Sequence, residues 1–304
     1  MSYNLKSASE AFKKARNFNP EQYLNKKVDQ INKFLIDNKL DSLVLGISGG
    51  IDSAVVLYIL DKAKSVINSP IKQILPISMP IPGSSGVTGQ EESARDAETV
   101  VESLDISYYE VNLEPASSSI FYNSCDVPEE HSAWAIGQMN SVLRTPVLYY
   151  HAAILQAFGY KSLVVGTTNR DEGSYIGFFG KASDAMVDLQ IISDIHKSEV
   201  YALAEYMGVP REIIDRKPMG DVWDGRCDEE MIGAPYWFLE LYLRMKEEDM
   251  MWIVREFSQE EQAIFDRYSS AIEKLHEINA HKYQVGNPAH FLDSMTRKMP
   301  GGWQ

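Results

Sequence analysis

The sequence predicts an α/β protein with a parallel sheet and helices on both faces. Three observations carry the prediction. Short apolar runs of strand length alternate with longer runs of helical period. The runs 42–47 (SLVLGI) and 162–168 (SLVVGTT) are apolar without alternation, as strands buried on both faces must be. Both end in polar, glycine-bearing turns, GISGGIDS and GTTNRDEG, at the strand end where such sheets bind ligands.

Taken in order, residues 20–39 read as a helix, with Tyr23, Val28, Ile31, Phe34 and Leu35 at helical spacing. The 42–47 run stops at glycines and is the first strand. A mostly apolar helix follows over 52–63. Residues 71–77 (IKQILPI) are the second strand, and a helix over about 90–104 follows the loop PIPGSSGVTG. Residues 106–112 (ISYYEVN) give a third strand, 132–158 a long helix, 162–168 the fourth strand and 198–207 a further helix. From 234 onward helices return, and the last twenty residues read as irregular. No repeat or low-complexity linker interrupts the chain. One domain over 1–304 is expected, with an N-terminal helix at about 20–39 and a helical tail over about 234–304.

Composition narrows the function. The 304 residues are 44% apolar and 24% charged, as in a globular chain with a sizeable core. A net charge of −14 argues against a nucleic-acid groove, which needs clustered cations. No apolar run is long enough to span a membrane, and the first residues lack the apolar stretch of a secretory signal. Cys125 and Cys227 form no CxxC pair and no disulfide framework, which suits the cytoplasm.

The turn Gly46-Ile47-Ser48-Gly49-Gly50-Ile51-Asp52-Ser53 joins a buried strand to a helix. Gly49 and Gly50 leave backbone N–H groups open to an anion, Ser48 and Ser53 add hydroxyls, and the helix dipole favours negative charge there. Asp52, in the first helical turn, could hold Mg²⁺ against bound phosphates. The chain contains neither GxxxxGK[ST] nor GxGxxG. A plain glycine turn with a dipole-partnering Asp is the bland alternative.

In the second half, Glu172 follows the fourth strand and could share a metal with Asp52; a solvent-facing loop acid is the alternative. Lys181 and Lys197 could neutralise phosphate charge or be surface lysines. Phe178 and Phe179 could pack in the core or flank a ring. Arg170 and Asp171 could be a surface ion pair.

SGGIDS resembles the signature of the N-type ATP pyrophosphatases, which cleave ATP between its α and β phosphates. The later series narrows the resemblance: GTTNRDE at 166–172, GFFGK at 177–181, then Asp184, Lys197, and KPMGD at 217–221, in that order, resemble the NAD synthetase family over roughly residues 20–285. The resemblance implies a Rossmann-like fold of the adenine nucleotide alpha hydrolase-like type. It implies that Asp52 and Glu172 are magnesium ligands. Gly46, Ser48, Gly49, Gly50, Ile51, Ser53, Thr167, Lys197 and Met219 would border ATP. Arg144, Tyr149, Phe178, Lys181, Asp184, His281 and Lys282 would border the acid substrate. Asp52, Glu172, Asp184 and Lys197 would carry the chemistry.

The implied reaction is ATP-dependent amidation of nicotinic acid adenine dinucleotide by ammonia, through an acyl-adenylate, in a homodimer. Glutamine-using members carry a separate amidase domain with a catalytic Cys. The residues ahead of 42 are too few for one and contain no Cys, so ammonia is the expected donor. Three positions depart from the family pattern: Val142 stands where an arginine is usual, Met219 where a hydroxyl residue is usual, and Tyr283 where an arginine is usual. Each lost charge-assisted bond costs about 1.5–3 kcal/mol. A related ligase acting on another acid, or a nucleotide-binding homologue without catalysis, are the alternatives. The loop at 79–89 reads as a lid.

Overall fold

The computed structural model describes residues 4–82, 89–124, 129–218, 226–283 and 290–291. Six parallel strands form one sheet in the order β3-β2-β1-β4-β5-β6, with β1 Ser42–Gly46, β2 Gln73–Ser78, β3 Tyr109–Glu110, β4 Ser162–Gly166, β5 Leu189–Gln190 and β6 His290–Phe291. The strand order reverses beside β1, where β2 leaves on one side and β4 on the other. Such a switch point opens a crevice beyond the strands' carboxyl ends.

Alternate residues of each central strand enter different cores. Leu43, Leu45 and Ile74 pack on one face with Val165; Val44, Leu75 and Ile77 pack on the other with Val164. This is the physical reason for their unbroken apolar sequence. On the first face lies helix α3 (Ile51–Ser65), packed against α2 (Pro20–Asp37) and α8 (Lys197–Met207). Helix α3 is buried nearly all round, so its sequence shows little amphipathic contrast. On the other face α6 (Glu129–Ala157) crosses β1 and β4. Pro146 lies inside α6 and removes one N–H from its ladder.

A third core joins α1 (Leu5–Arg16), α11 (Tyr236–Glu247) and α12 (Gln259–Asn279) through Leu5, Phe12, Phe238, Tyr242 and Phe265. The remaining helices are α4 (Gly89–Glu102), α5 (Glu114–Asn123), α7 (Arg170–Gly173), α9 (Arg211–Asp215) and α10 (Asp228–Ile232).

Several expectations are corrected. Helix α1, with Asn4 as its N-cap, and helix α5 were not foreseen. The expected 106–112 strand shortens to Tyr109–Glu110, because only these residues pair with β2 and both are exposed at that position. Strands β5 and β6 are two residues each, too short to leave a periodic trace. The lid reading falls largely on 83–88, outside the described residues, as does Met219. Among the described residues no helix is long and apolar enough to cross a membrane.

Candidate active site

The crevice at the switch point is a cavity of about 350 Å³ lined from both halves of the sequence. Its floor is the turn after β1. Gly49 sits at φ 77°, a left-handed conformation, and a Cβ there would meet the Ser93 carbonyl oxygen of α4 at 2.5 Å. Glycine is therefore required by both backbone angle and space. Gly50 N-caps α3 without a side-chain hydrogen bond, so the first N–H groups of α3 have no partner within the helix. The Ser48 and Ser53 hydroxyls lie 3.2 Å apart, and the Gly50 N–H donates to Ser48 Oγ at 3.2 Å. This is an anion-accepting helix start with two adjustable hydroxyls beside it.

Across the crevice, Asn169 caps α7, its Oδ1 accepting from the Glu172 N–H at 3.2 Å. The Asn169 amide donates to Asp52 Oδ1 at 3.0 Å and to Glu172 Oε1 at 2.7 Å. Lys197 begins α8, and its Nζ lies 2.5 Å from Asp52 Oδ2 and 3.5 Å from Glu172 Oε1. The Tyr236 hydroxyl donates to Glu172 Oε1 at 3.0 Å and lies 3.3 Å from Asp228 Oδ2. Residues 52, 172 and 197, which follow β1, β4 and β5 in the chain, thus meet at one point.

The electrostatics follow from that crowding. Burial pushes the Glu172 carboxyl up to about 8, with the Asp52 and Asp228 charges adding to the rise and Lys197 opposing it. Burial disfavours the Lys197 charge, but Asp52 first and Glu172 second overcome this, and the ammonium is held above its ordinary range. Three acids around one ammonium leave an excess of negative charge. Among the described residues no group of three or more His, Cys, Asp or Glu side chains is arranged to enclose a metal by itself. Two converging carboxylates with an anion site beside them are nonetheless the donor set Mg²⁺ uses when it binds with phosphates. Asp52 and Glu172 fit that ion.

The other expected residues are distributed unevenly. Gly46, Ile51, Thr167, Arg144, Phe178 and Asp184 line the cavity with the residues above. Arg144 Nη2 lies 3.4 Å from Gln90 Oε1. Asp184 Oδ2 accepts from the Gly180 N–H and the Ser183 hydroxyl, both at 3.2 Å. Tyr149 is turned toward Asp188, donating to its Oδ1 at 3.2 Å, and is outside the cavity lining. Lys181 and His281 are exposed, and neither lines the cavity. Lys282 Nζ donates to the carbonyls of Gly177 and Phe179 at 2.8 and 2.6 Å, which fastens the loop carrying Phe178. Val142 is exposed and also lies off the lining.

Sequence reasoning gave no role to Asn169, Gln190, Asp228 and Tyr236. Asn169 carried a usable signal, a capping residue three positions ahead of a Glu. Gln190 accepts from the Thr168 N–H at 3.3 Å and donates to the Asp184 carbonyl at 2.9 Å, joining the two sides of the cavity. Nothing local in sequence marks Gln190, Asp228 or Tyr236, since their partners lie in other elements.

Residues 23–286 match the family model described as NAD synthase. The chain is 31% identical over 266 residues to the NH(3)-dependent NAD(+) synthetase of Pyrococcus furiosus, covering 86% of this chain and 92% of that protein. Among solved structures, the NMN synthetase from Francisella tularensis superposes with a TM-score of 0.71 at 24% identity, over 88% of this chain and 98% of that one. The NH3-dependent NAD synthetase from Campylobacter jejuni superposes with a TM-score of 0.65 at 20% identity, over 88% and 98%. These two likenesses establish the fold.

Proposed function

The chain belongs to the NAD synthase family, and from that premise we propose that it amidates nicotinic acid adenine dinucleotide with ammonia, consuming ATP and releasing AMP and pyrophosphate. The observation that carries the reading is the meeting of Asp52, Glu172 and Lys197 beside the uncapped start of α3.

A carboxylate is a poor acyl donor, because its leaving group is an oxide. In the proposed reaction the acid's carboxylate oxygen attacks the α-phosphorus of ATP and the bond to the β-phosphate bridging oxygen breaks. Pyrophosphate departs, leaving an acyl–AMP anhydride. Ammonia then adds to the acyl carbon, loses a proton, and AMP leaves with the bonding pair. The N–H groups of residues 51–53 and the hydroxyls of Ser48 and Ser53 would hold the departing pyrophosphate. Lys197 would place a fixed cation on the phosphate oxygens as charge develops. Asp52 and Glu172 would hold Mg²⁺, which when bound would supply positive charge to offset that of the phosphates. Arg144, Phe178 and Asp184, which also line the cavity, would receive the acid. No protein nucleophile is required.

A homodimer is the assembly we assign, supported by the exposed aromatics Tyr122, Trp134 and Tyr150 on α5 and α6. A cytoplasmic location fits two cysteines without a disulfide framework.

The test is pyrophosphate release by purified protein with ATP, Mg²⁺ and ammonia across a panel of acids. Nicotinic acid adenine dinucleotide should give the highest kcat/KM. The panel includes the mononucleotide acid, because the Francisella neighbour shares this fold. Stronger stimulation by that or any other acid would replace the substrate assigned here.

A further inference from the structure

Helix α1 lies ahead of residues 23–286, the part of the chain that matches the family model. Its last residue nevertheless reaches the region directly behind the crevice. The Arg16 guanidinium is almost fully buried and grips Glu199 with two nitrogens: Nε pairs with Oε1, and Nη2 lies 2.9 Å from Oε2. The same Nη2 donates to the Asp194 carbonyl at 3.0 Å. Glu199 Oε2 in turn accepts the His196 N–H at 2.9 Å. Arg16 therefore fastens both ends of the turn 194–199, and Lys197 sits within that turn.

Other attachments hold the same turn, among them the Arg170 N–H to the Ile195 carbonyl at 2.9 Å and the Ser198 hydroxyl to Glu240 at 2.8 Å. Asp171 accepts the Lys197 backbone N–H at 2.7 Å and the His196 Nδ1–H at 2.6 Å. Burial drives the His196 imidazole down to about 3, so it is a neutral donor to Asp171. The Asp194 carboxylate pairs with the fully buried Lys27 at 3.0 Å and accepts from the Tyr23 hydroxyl at 2.8 Å, both on α2. Arg16 is the contribution of α1 to this frame. Helix α1 is itself seated by Leu5, Ala8 and Phe12 in the core that contains Tyr236, the residue bonded to Glu172.

We propose that Arg16 is a positioning residue for Lys197: by fixing the 194–199 turn from behind, it sets where the ammonium meets Asp52, Glu172 and the nucleotide phosphates. The proposal rests on the reading of the crevice as the ATP site. A bidentate guanidinium is needed because one group must hold a carboxylate and a carbonyl at once. Arg16 touches no substrate, and its effect is carried wholly through the turn.

The experiment is a double-mutant cycle on the full chain with Arg16→Ala and Lys197→Ala. It is read as the dissociation constant for Mg²⁺ with a non-hydrolysable α,β-methylene ATP, and as kcat for AMP formation well below the melting temperature. Arg16→Ala should weaken nucleotide binding and lower kcat by about tenfold or more. In the Lys197→Ala background it should change neither by more than about twofold. Arg16→Lys keeps the charge but not the fork, and should fall between wild type and Arg16→Ala. It also serves as the second variant should Arg16→Ala fail to fold. Equal losses in both backgrounds, or a lowered melting temperature with unchanged binding and kcat, overturn the proposal. If wild type binds the analogue but no acid releases pyrophosphate, the assigned reaction fails while the binding cycle still decides the role of Arg16. If wild type binds no nucleotide, both fall.

Discussion

The two sides of the crevice are built differently. On the side of the anion-accepting turn the Asp52, Asn169, Glu172, Lys197 and Tyr236 side chains meet partners inside the cluster, and these residues stand at helix starts, that of α8 held from behind by buried ion pairs through Arg16 and Lys27. The expected acid-binding residues lie instead on the loop 177–187, on α6 and at residues 281 and 282. Several of them spend their polar groups on neighbouring backbone or face solvent. The difference teaches that one side is set before any ligand arrives, because charge and geometry are over-determined there. The other side has room to vary without disturbing the sheet, as binding loops on a rigid scaffold do.

The largest expected effect breaks the preset side directly. Lys197→Ala removes the cation shared by two carboxylates, and AMP formation should fall by about a thousandfold in a single-turnover assay. A loss under tenfold would show that the ammonium is structural.

Next comes the protonation of Glu172. Held up to about 8 by burial, it is neutral at lower pH in the free protein, and a metal must displace that proton. Mg²⁺·ATP affinity should therefore rise by roughly tenfold per pH unit below that value and flatten above it. Calorimetry in buffers of different ionisation heat should detect proton release on binding. The stability consequence has the opposite sign. The folded state binds this proton more tightly than the unfolded state, so ligand-free stability declines as pH rises from the ordinary carboxyl range toward 8. Glu172→Gln should abolish the affinity slope, flatten that decline, and lower kcat by about a hundredfold. An unchanged slope in the variant would assign the titration to another group.

On the opposite side, Asp184→Ala should raise KM for the acid or for ammonia by about tenfold, the worth of one charge-assisted bond, and leave KM for ATP within twofold. A rise in KM for ATP instead would erase the division between the two sides. The smallest effects are expected at Lys181→Ala and His281→Ala. Both side chains are exposed and off the cavity lining, and steady-state constants should stay within about twofold of wild type. A larger change would mean that the loop closes over the ligand and brings them in.

Much of the preset side was legible in sequence because its signals are local. A buried strand followed by SGGIDS states both the backbone path and the anion site, since glycines, hydroxyls and a helix start are all read within eight residues. The central strands were legible for the same kind of reason: burial on both faces leaves an unbroken apolar run. Helix α1 was missed although its cap Asn4 and its apolar stripe were present, because the stripe is narrow and the helix starts almost at the first residue. Strands β5 and β6 were missed because two residues carry no period.

The sequence by itself determined the class of sheet, the anion-binding turn and the residue types that chemistry on a phosphate needs, because each is written in neighbouring residues. Only the tertiary structure decided that Asp52, Glu172 and Lys197 meet, that Tyr149 turns to Asp188, that Lys282 holds a backbone loop, and that Arg16 reaches behind the site. Those outcomes depend on strand order, crossover path and which buried charges find one another. Such pairings join residues from 25 to 183 positions apart, and no local pattern can encode the distance between them.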